Sequence, residues 1–291
     1  MTPLLLKDNG QVSEKSTDIE MKKNKIILTS SKIILALGLW VAISTNLFSQ
    51  DIDIGEFGSS DTRTAGIFPN PLEMMTLGRN LNIKIYPREV RIEESALLGQ
   101  DRVKSAFTFG RLVAVTMLSL NTASEDYLKR NFSLLHQGAV KLELPKEVVR
   151  RLNLVSTGLR KNLINRGELI IQANKYYSLL TLKRDLIRQS KLKFVFDLIL
   201  AGTWIQTTDL FAMSGLRGHE LGRVRNVIAT PYVVDYFAGS LTTYKNEQVA
   251  NSETINRILK KMERLKVLLA KTSLSRADLA EIRNLLKEYL S

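Results

Sequence analysis

The chain of 291 residues contains no cysteine. That excludes disulfides, thiol catalysis, thiolate metal sites and a lipid-modified N-terminal cysteine. It does not exclude export. There are two histidines, His136 and His219. His219-Glu220-Leu221-Gly222-Arg223 begins like a zincin motif but lacks the second histidine, so no two-ligand helix face forms and no metal is implied. His136 reads as a helix-end residue. No G-x-S-x-G turn, Walker loop or Rossmann glycine spacing occurs. Asp51, Asp53, Glu56 and Asp61 do not match an EF-hand loop. Nothing in the sequence implies a cofactor. Prolines number six, which leaves room for long helices.

What is abundant is apolar surface and positive charge. Hydrophobic residues make up 44% and charged residues 24%, as in an ordinary globular protein. The formal charge is +13 and the isoelectric point is near 9.8. Such a chain favours anionic surroundings: nucleic acid, lipid headgroups, lipopolysaccharide or acidic polymers. No aromatic stripe is interleaved with the basic residues to stack on single strands.

The N-terminal region carries an address. Met21-Lys22-Lys23-Asn24-Lys25 is basic, Ile33–Ile43 is apolar, and Ser44–Gln50 is a polar exit. This is the layout of a secretory signal peptide over 21–50, with cleavage expected after Ser49 or Gln50. Residues 1–20 then read as an over-extended start, with Met21 as initiator. The alternative is an uncleaved N-terminal anchor. After cleavage the chain would retain 36 Lys/Arg and 25 Asp/Glu, so the basic character belongs to the folded part. Export disfavours nucleic acid as a partner. Residues 51–75 read as an irregular lead-in and 76–291 as one helical domain.

Beyond Pro71 the pattern is helical. Leu97, Val103, Phe107, Leu112, Val115 and Leu118 predict one long helix with a kink or close contact at Gly110. Ser124-Glu125-Asp126 opens a second. Pro145 is placed in the first turn of a third, with Val148, Leu152, Val155, Leu159 and Leu163 on its apolar face. Asn165 caps a fourth, holding Leu169, Ala173, Tyr176, Leu180 and Ile187, with Glu168 in the capping-box position. Residues 212–226 read as a Gly- and Arg-rich connector. Thr230-Pro231 starts another helix. Ile255–Leu269 and Leu279–Tyr289, with a capping box at Ser275–Asp278, predict a C-terminal antiparallel helical hairpin. The fold expected is an all-α multi-helix bundle.

Phe194–Phe211 is the most apolar stretch of the part expected to fold. It is too short and too interrupted, by Asp197, Gly202 and Thr203, to cross a bilayer. It reads as a helix buried on most sides, with a close helix approach at Ala201 and Gly202. Gly202, Trp204, Gln206 and Asp209 are the candidate binding or packing residues, with Gln206 and Asp209 expected to meet the indole N–H or a neighbouring helix. Arg150, Arg151, Arg160, Lys161, Lys183, Arg184 and Arg188 form the candidate anionic-ligand surface. Arg166, Lys191, Lys193, Lys260, Lys261, Arg264 and Lys266 extend the basic faces.

Asn165-Arg166-x-x-Leu169, Ala201-Gly202-x-Trp204-Ile205-Gln206 and the final amphipathic pair resemble an uncharacterised group of exported helical proteins of Bacteroidota. Their common step is Gly-x-Trp-(Ile/Val)-(Glu/Gln) in an apolar helix. Many members carry a lipobox cysteine, which this chain lacks. The resemblance spans roughly 65–290 and implies an exported helical fold without implying an activity. The reading is therefore an exported structural or binding protein of the cell envelope. It would meet an anionic envelope component or a protein partner through its basic faces or a groove near Trp204. A helical-bundle enzyme or cofactor-binding protein is the alternative.

Overall fold

A computed structural model describes residues 70–290 apart from 188, 219, 220, 250 and 251, and apart from the side chains of 184, 185, 190, 252–255, 257 and 288–290. The stretch 21–50, read above as a signal peptide, and the lead-in up to 69 lie outside the described residues. By chain contacts the polypeptide divides into Met1–Ser59 and Ser60–Ser291, and every described residue belongs to the second unit.

The described residues are helical, and no strand occurs among them. The helices are α1 (Pro71–Asn80), α2 (Glu94–Leu98), α3 (Arg102–Ser119), α4 (Glu125–Lys141), α5 (Lys146–Arg160), α6 (Arg166–Leu186), α7 (Ser190–Arg217), α8 (Leu221–Ile228), α9 (Pro231–Asn246), α10 (Ser252–Leu269) and α11 (Arg276–Leu290). Among the described residues one 3₁₀ turn occurs, at Pro87–Glu89. The fold is an all-α multi-helix bundle.

Helix α7 is the axis. Its 28 residues extend about 42 Å, and every residue from Phe194 to Gly215 is buried. A helix apolar on only one side could not be buried all round; this one carries large apolar groups on every face. Its closest neighbour is α3. Gly202 lies against the Phe107 carbonyl, Arg111 meets Gln206, and Leu118 packs with Leu210 and Met213. The paired positions rise together, so the two helices run parallel.

At the crossing only hydrogen fits on the glycine Cα atoms. A Cβ on Gly110 would lie 1.9 Å from the Ile199 carbonyl oxygen, and one on Gly202 would lie 2.2 Å from that of Phe107. Both obstacles are backbone. Thr203 fastens the contact, its hydroxyl lying 3.0 Å from the Gly110 carbonyl and 2.8 Å from that of Ile199. Around this pair, α4 packs on α5, α5 on α6, α9 on α10, and α11 on α7.

Several helix starts follow their sequence signals. Asn70 accepts from Leu72 N–H, Asp101 from Lys104 N–H, Ser124 from Tyr127 N–H and Asn165 from Glu168 N–H. Pro145 is the N-cap itself and does not enter the first turn of α5. Residues 71–75, assigned to the lead-in, belong to α1 because Asn70 caps it and Pro71 suits its first position.

Helix ends were less visible. Asn82, Glu143, Asn162 and Gln248 have positive φ. Each precedes a backbone N–H that closes a six-residue Schellman loop: Ile83 to Gly78, Leu144 to Ala139, Leu163 to Gly158, and Val249 to Tyr244. No glycine marks these four stops. For that reason the apolar period of α5 seemed to continue into Leu163, which is 50% exposed. Ile164 is the residue that folds back, onto Gly158. Leu97 belongs to a different helix from the one its apolar period suggested. It lies on α2, separated from α3 by Gly99, Gln100 and the Asp101 cap. Ile187 lies just beyond the end of α6.

Residues 212–226 are not a connector. Helix α7 runs on to Arg217, and α8 begins at Leu221. Gly215 is helical and buried where a Cβ would lie 2.6 Å from Leu279 Cδ1. Its small size admits α11, and that packing outweighs the weak helix propensity of glycine.

The start of α11 is a reciprocal capping box. Asp278 N–H donates to Ser275 Oγ at 3.1 Å, and Ser275 N–H donates to Asp278 Oδ2 at 2.8 Å. Lys271 and Ser275 together hold the Asp278 carboxyl well below the usual carboxylate range. A carboxyl depressed by folding stabilises the fold above its unfolded value, and that contribution is lost as pH falls. We therefore expect stability to decline below about pH 4, with part of that decline absent in Asp278→Asn. Urea melts of the two proteins across acidic pH measure it; identical pH dependence would contradict the expectation. Farther from the turn, Arg264 pairs with Glu281.

Candidate functional site

The candidate residues on α7 form a polar seam within the core. Trp204 is 3% exposed, and its ring packs on Phe237 with centroids 6.1 Å apart. Its indole N–H donates to Thr230 Oγ1 at 3.0 Å, and that hydroxyl donates in turn to the Ile228 carbonyl at 3.2 Å. Gln206 and Asp209 were expected to meet either the indole N–H or a neighbouring helix, and both take the second course. Gln206 accepts from Arg111 Nε at 3.1 Å, and Asp209 accepts from Arg283 Nε at 2.9 Å.

These contacts join α3, α7 and α11 through buried charge. Burial lowers the Arg111 guanidinium from its ordinary value, and the negative charges of Asp209 and Glu93 oppose the shift. Asp209 is 4% exposed. A second buried carboxylate, Asp197, accepts from Tyr236 at 3.0 Å and Tyr244 at 2.6 Å. This pairing was not anticipated, although a signal existed. An acid inside a fully apolar run needs partners, and Tyr236 and Tyr244 stand two turns apart on one helix.

Chemistry needs convergent groups and room for a reactant. The cavity beside Asp197, lined also by Phe107, Ala201, Ile205, Phe237 and Met262, is about 20 Å³. That holds one water. An open groove of about 800 Å³ lies between α1 and α6, lined mainly by neutral groups including Asn70, Thr76, Asn80, Asn121, Asn174 and Ser178. Among the described residues no group of three or more His, Asp or Glu is placed to hold a metal ion. Asp209 is engaged in the core, Glu168 sits in the first turn of α6, and His219 and Glu220 lie outside the described residues.

Trp204 therefore closes a helix junction. Trp204→Ala is expected to cost about 3–5 kcal/mol, read as a lower urea midpoint with an unchanged slope. A change under about 1 kcal/mol would place the indole outside the core packing.

The basic residues divide into two groups. One group ties helix ends together. Arg166 donates to the carbonyls of Leu120 at 2.7 Å and Ala123 at 2.8 Å. Arg102 reaches Leu142, Arg223 reaches Leu81, and Arg225 reaches Lys271, all at backbone oxygen. Apart from Ala123, which directly precedes the Ser124 N-cap of α4, each acceptor is just past a helix C-terminus, where carbonyls lack helical partners and the dipole favours a cation. Arg151 also turns inward, donating to Gln172 Oε1 at 3.2 Å.

The other group faces outward. Arg150, Arg160 and Lys161 are exposed, and Lys183 is half-buried. Arg150 has a loose pairing with Glu147 at 3.9 Å, and Arg160 donates to Thr157. The side chain of Arg184 and all of residue 188 are outside the description. The stretch 146–193 contains 12 Lys/Arg and three Asp/Glu. It comprises α5, α6 and the first residues of α7. Helices α5 and α6 pack as neighbours, so the stretch places its positive excess on adjoining helices. No described helix is long and apolar enough to cross a membrane. Comparisons with models of known protein families, with curated proteins and with solved structures found no match to this chain.

Proposed function

We propose that the protein is an exported helical binding or structural protein of the cell envelope, and that it engages an anionic envelope component through the α5–α6 flank. The observation that carries this reading is the division of labour just described. The Trp204 indole and the Asp209 carboxylate are bonded inside the core, so this reading places recognition at the surface. The stretch 146–193 carries 12 cations against three acids, and the exposed Lys146, Arg150, Arg160 and Lys161 among them present a local positive field. The basic, apolar and polar succession over 21–50 supports export.

Fractionation of cells expressing the whole chain tests both halves. The expected product is a periplasmic protein beginning at Gln50 or Asp51, associated with envelope material and washed off by salt, because exposed charge pairs are screened. Arg150→Glu/Arg160→Glu/Lys161→Glu should shift it to the soluble periplasmic fraction. A pelleted chain that retains residues 21–45 and resists salt would replace this reading with the anchored alternative. A cytosolic full-length chain would overturn export.

A further inference from the structure

We infer that the anionic component met by the α5–α6 flank is the surface of a lipid bilayer. The inference rests on the binding reading above and names its partner. Charge alone would suit any polyanion, but this flank also exposes apolar side chains among its cations. Leu163 is 50% exposed, Ile171 56% and Leu186 45%. Leu163 follows the exposed Arg160 and Lys161 in the turn between α5 and α6.

Along α6, Ile171, Lys175, Leu182 and Leu186 recur at helical spacing, so they share a side of the helix. None of these four is buried. Helix α5 adds exposed Lys146 and Arg150. Lys129 of α4 donates to Asn162, which brings another cation to the turn. Cations beside protruding aliphatic groups fit an interface with anionic headgroups at its surface and hydrocarbon just beneath. A dissolved polyanion would leave Leu163 and Ile171 in water.

Vesicle flotation of the purified protein tests the assignment. The probes are phosphatidylcholine vesicles with and without phosphatidylglycerol, and polyphosphate is the dissolved competitor. Circular dichroism verifies that each variant is folded. Wild-type protein should float only with the anionic vesicles, and less so in salt. Arg150→Glu/Arg160→Glu/Lys161→Glu should lower partitioning on the order of 100-fold. Leu163→Ser/Ile171→Ser, which leaves every charge in place, should lower it about tenfold.

Equal flotation of the serine variant and wild type, with full displacement by polyphosphate, would overturn the lipid assignment while leaving an anionic partner in place. Binding to neither vesicles nor polyphosphate would overturn both readings.

Discussion

Gly110→Ala is expected to lower the stability of the fold by about 3 kcal/mol or more, at or above the upper end of ordinary overpacking. Gly202→Ala should behave alike. The size of the effect follows from what stands in the way. A methyl group on Gly110 would meet a carbonyl oxygen at 1.9 Å and the Thr203 amide nitrogen at 2.9 Å. A side chain could rotate aside; two helix backbones must separate.

Separation would also break the Thr203 hydroxyl's contact with Gly110 and loosen the most extensive helix pair in the bundle. Gly239→Ala is the matched control. Gly239 sits exposed in α9 with nothing within 4 Å of its added Cβ. There the better helix propensity of alanine should stabilise by about 0.5–1 kcal/mol. The two crossing variants should combine to less than their sum, since either one opens the same contact. Urea midpoints of the wild type, the three single variants and the Gly110→Ala/Gly202→Ala double variant measure this. Losses at Gly110 and Gly202 no larger than about 0.5 kcal/mol would contradict the parallel α3–α7 contact.

The second large effect is expected at Asp209. Removing one member of a buried ion pair leaves the other desolvated and uncompensated, at about 3–5 kcal/mol. Asp209→Ala strands Arg283, which lies 2.9 Å away, and withdraws the negative charge that offsets burial of Arg111. Asp209→Leu with Arg283→Met should regain much of the loss, because replacing both partners with apolar groups removes the stranded charge. The double-mutant cycle separates that coupling from packing changes. Additive losses in the cycle would mean that the pair contributes no specific bond.

Much of the bundle was legible because its signals are local. The run of apolar residues on all sides of Phe194–Phe211 requires a buried helix. Gly202 within that run implies a close neighbour, and α3 provides it. Ser275 with Asp278 and Asn165 before Glu168 are cap geometries written within four residues. The misreadings share the opposite cause. Gly215 and Gly222 looked like loop residues because their helical state depends on α11 and on α8 packing elsewhere. The ends at Asn82, Glu143, Asn162 and Gln248 use left-handed backbone without glycine. Asn82 and Asn162 are the other residue type that accepts this conformation, whereas Glu143 and Gln248 carry no such signal.

The candidate site was legible only as a set of unusual residues. Trp204 found Thr230, 26 residues on, and Asp209 found Arg283, 74 residues on. No spacing rule reaches such pairs. The same limit applied to the basic residues. Arg150, Arg151, Arg160, Lys161 and Arg166 look alike in sequence, yet Arg151 and Arg166 are turned to a side chain and to backbone carbonyls. Helix-end bonding by arginine has no fixed sequence spacing, so only the assembled bundle separates those cations from the outward-facing ones.

The claim on which the rest depends is that α7 is the buried axis of the fold and not a wall of an open site. Native-state amide hydrogen exchange tests it directly. The amides from Val195 to Gly215 should be the slowest in the protein, opening only with global unfolding, with Trp204 among them. Faster exchange around Trp204 than at the ends of the surrounding helices would contradict the account and return the indole to the surface.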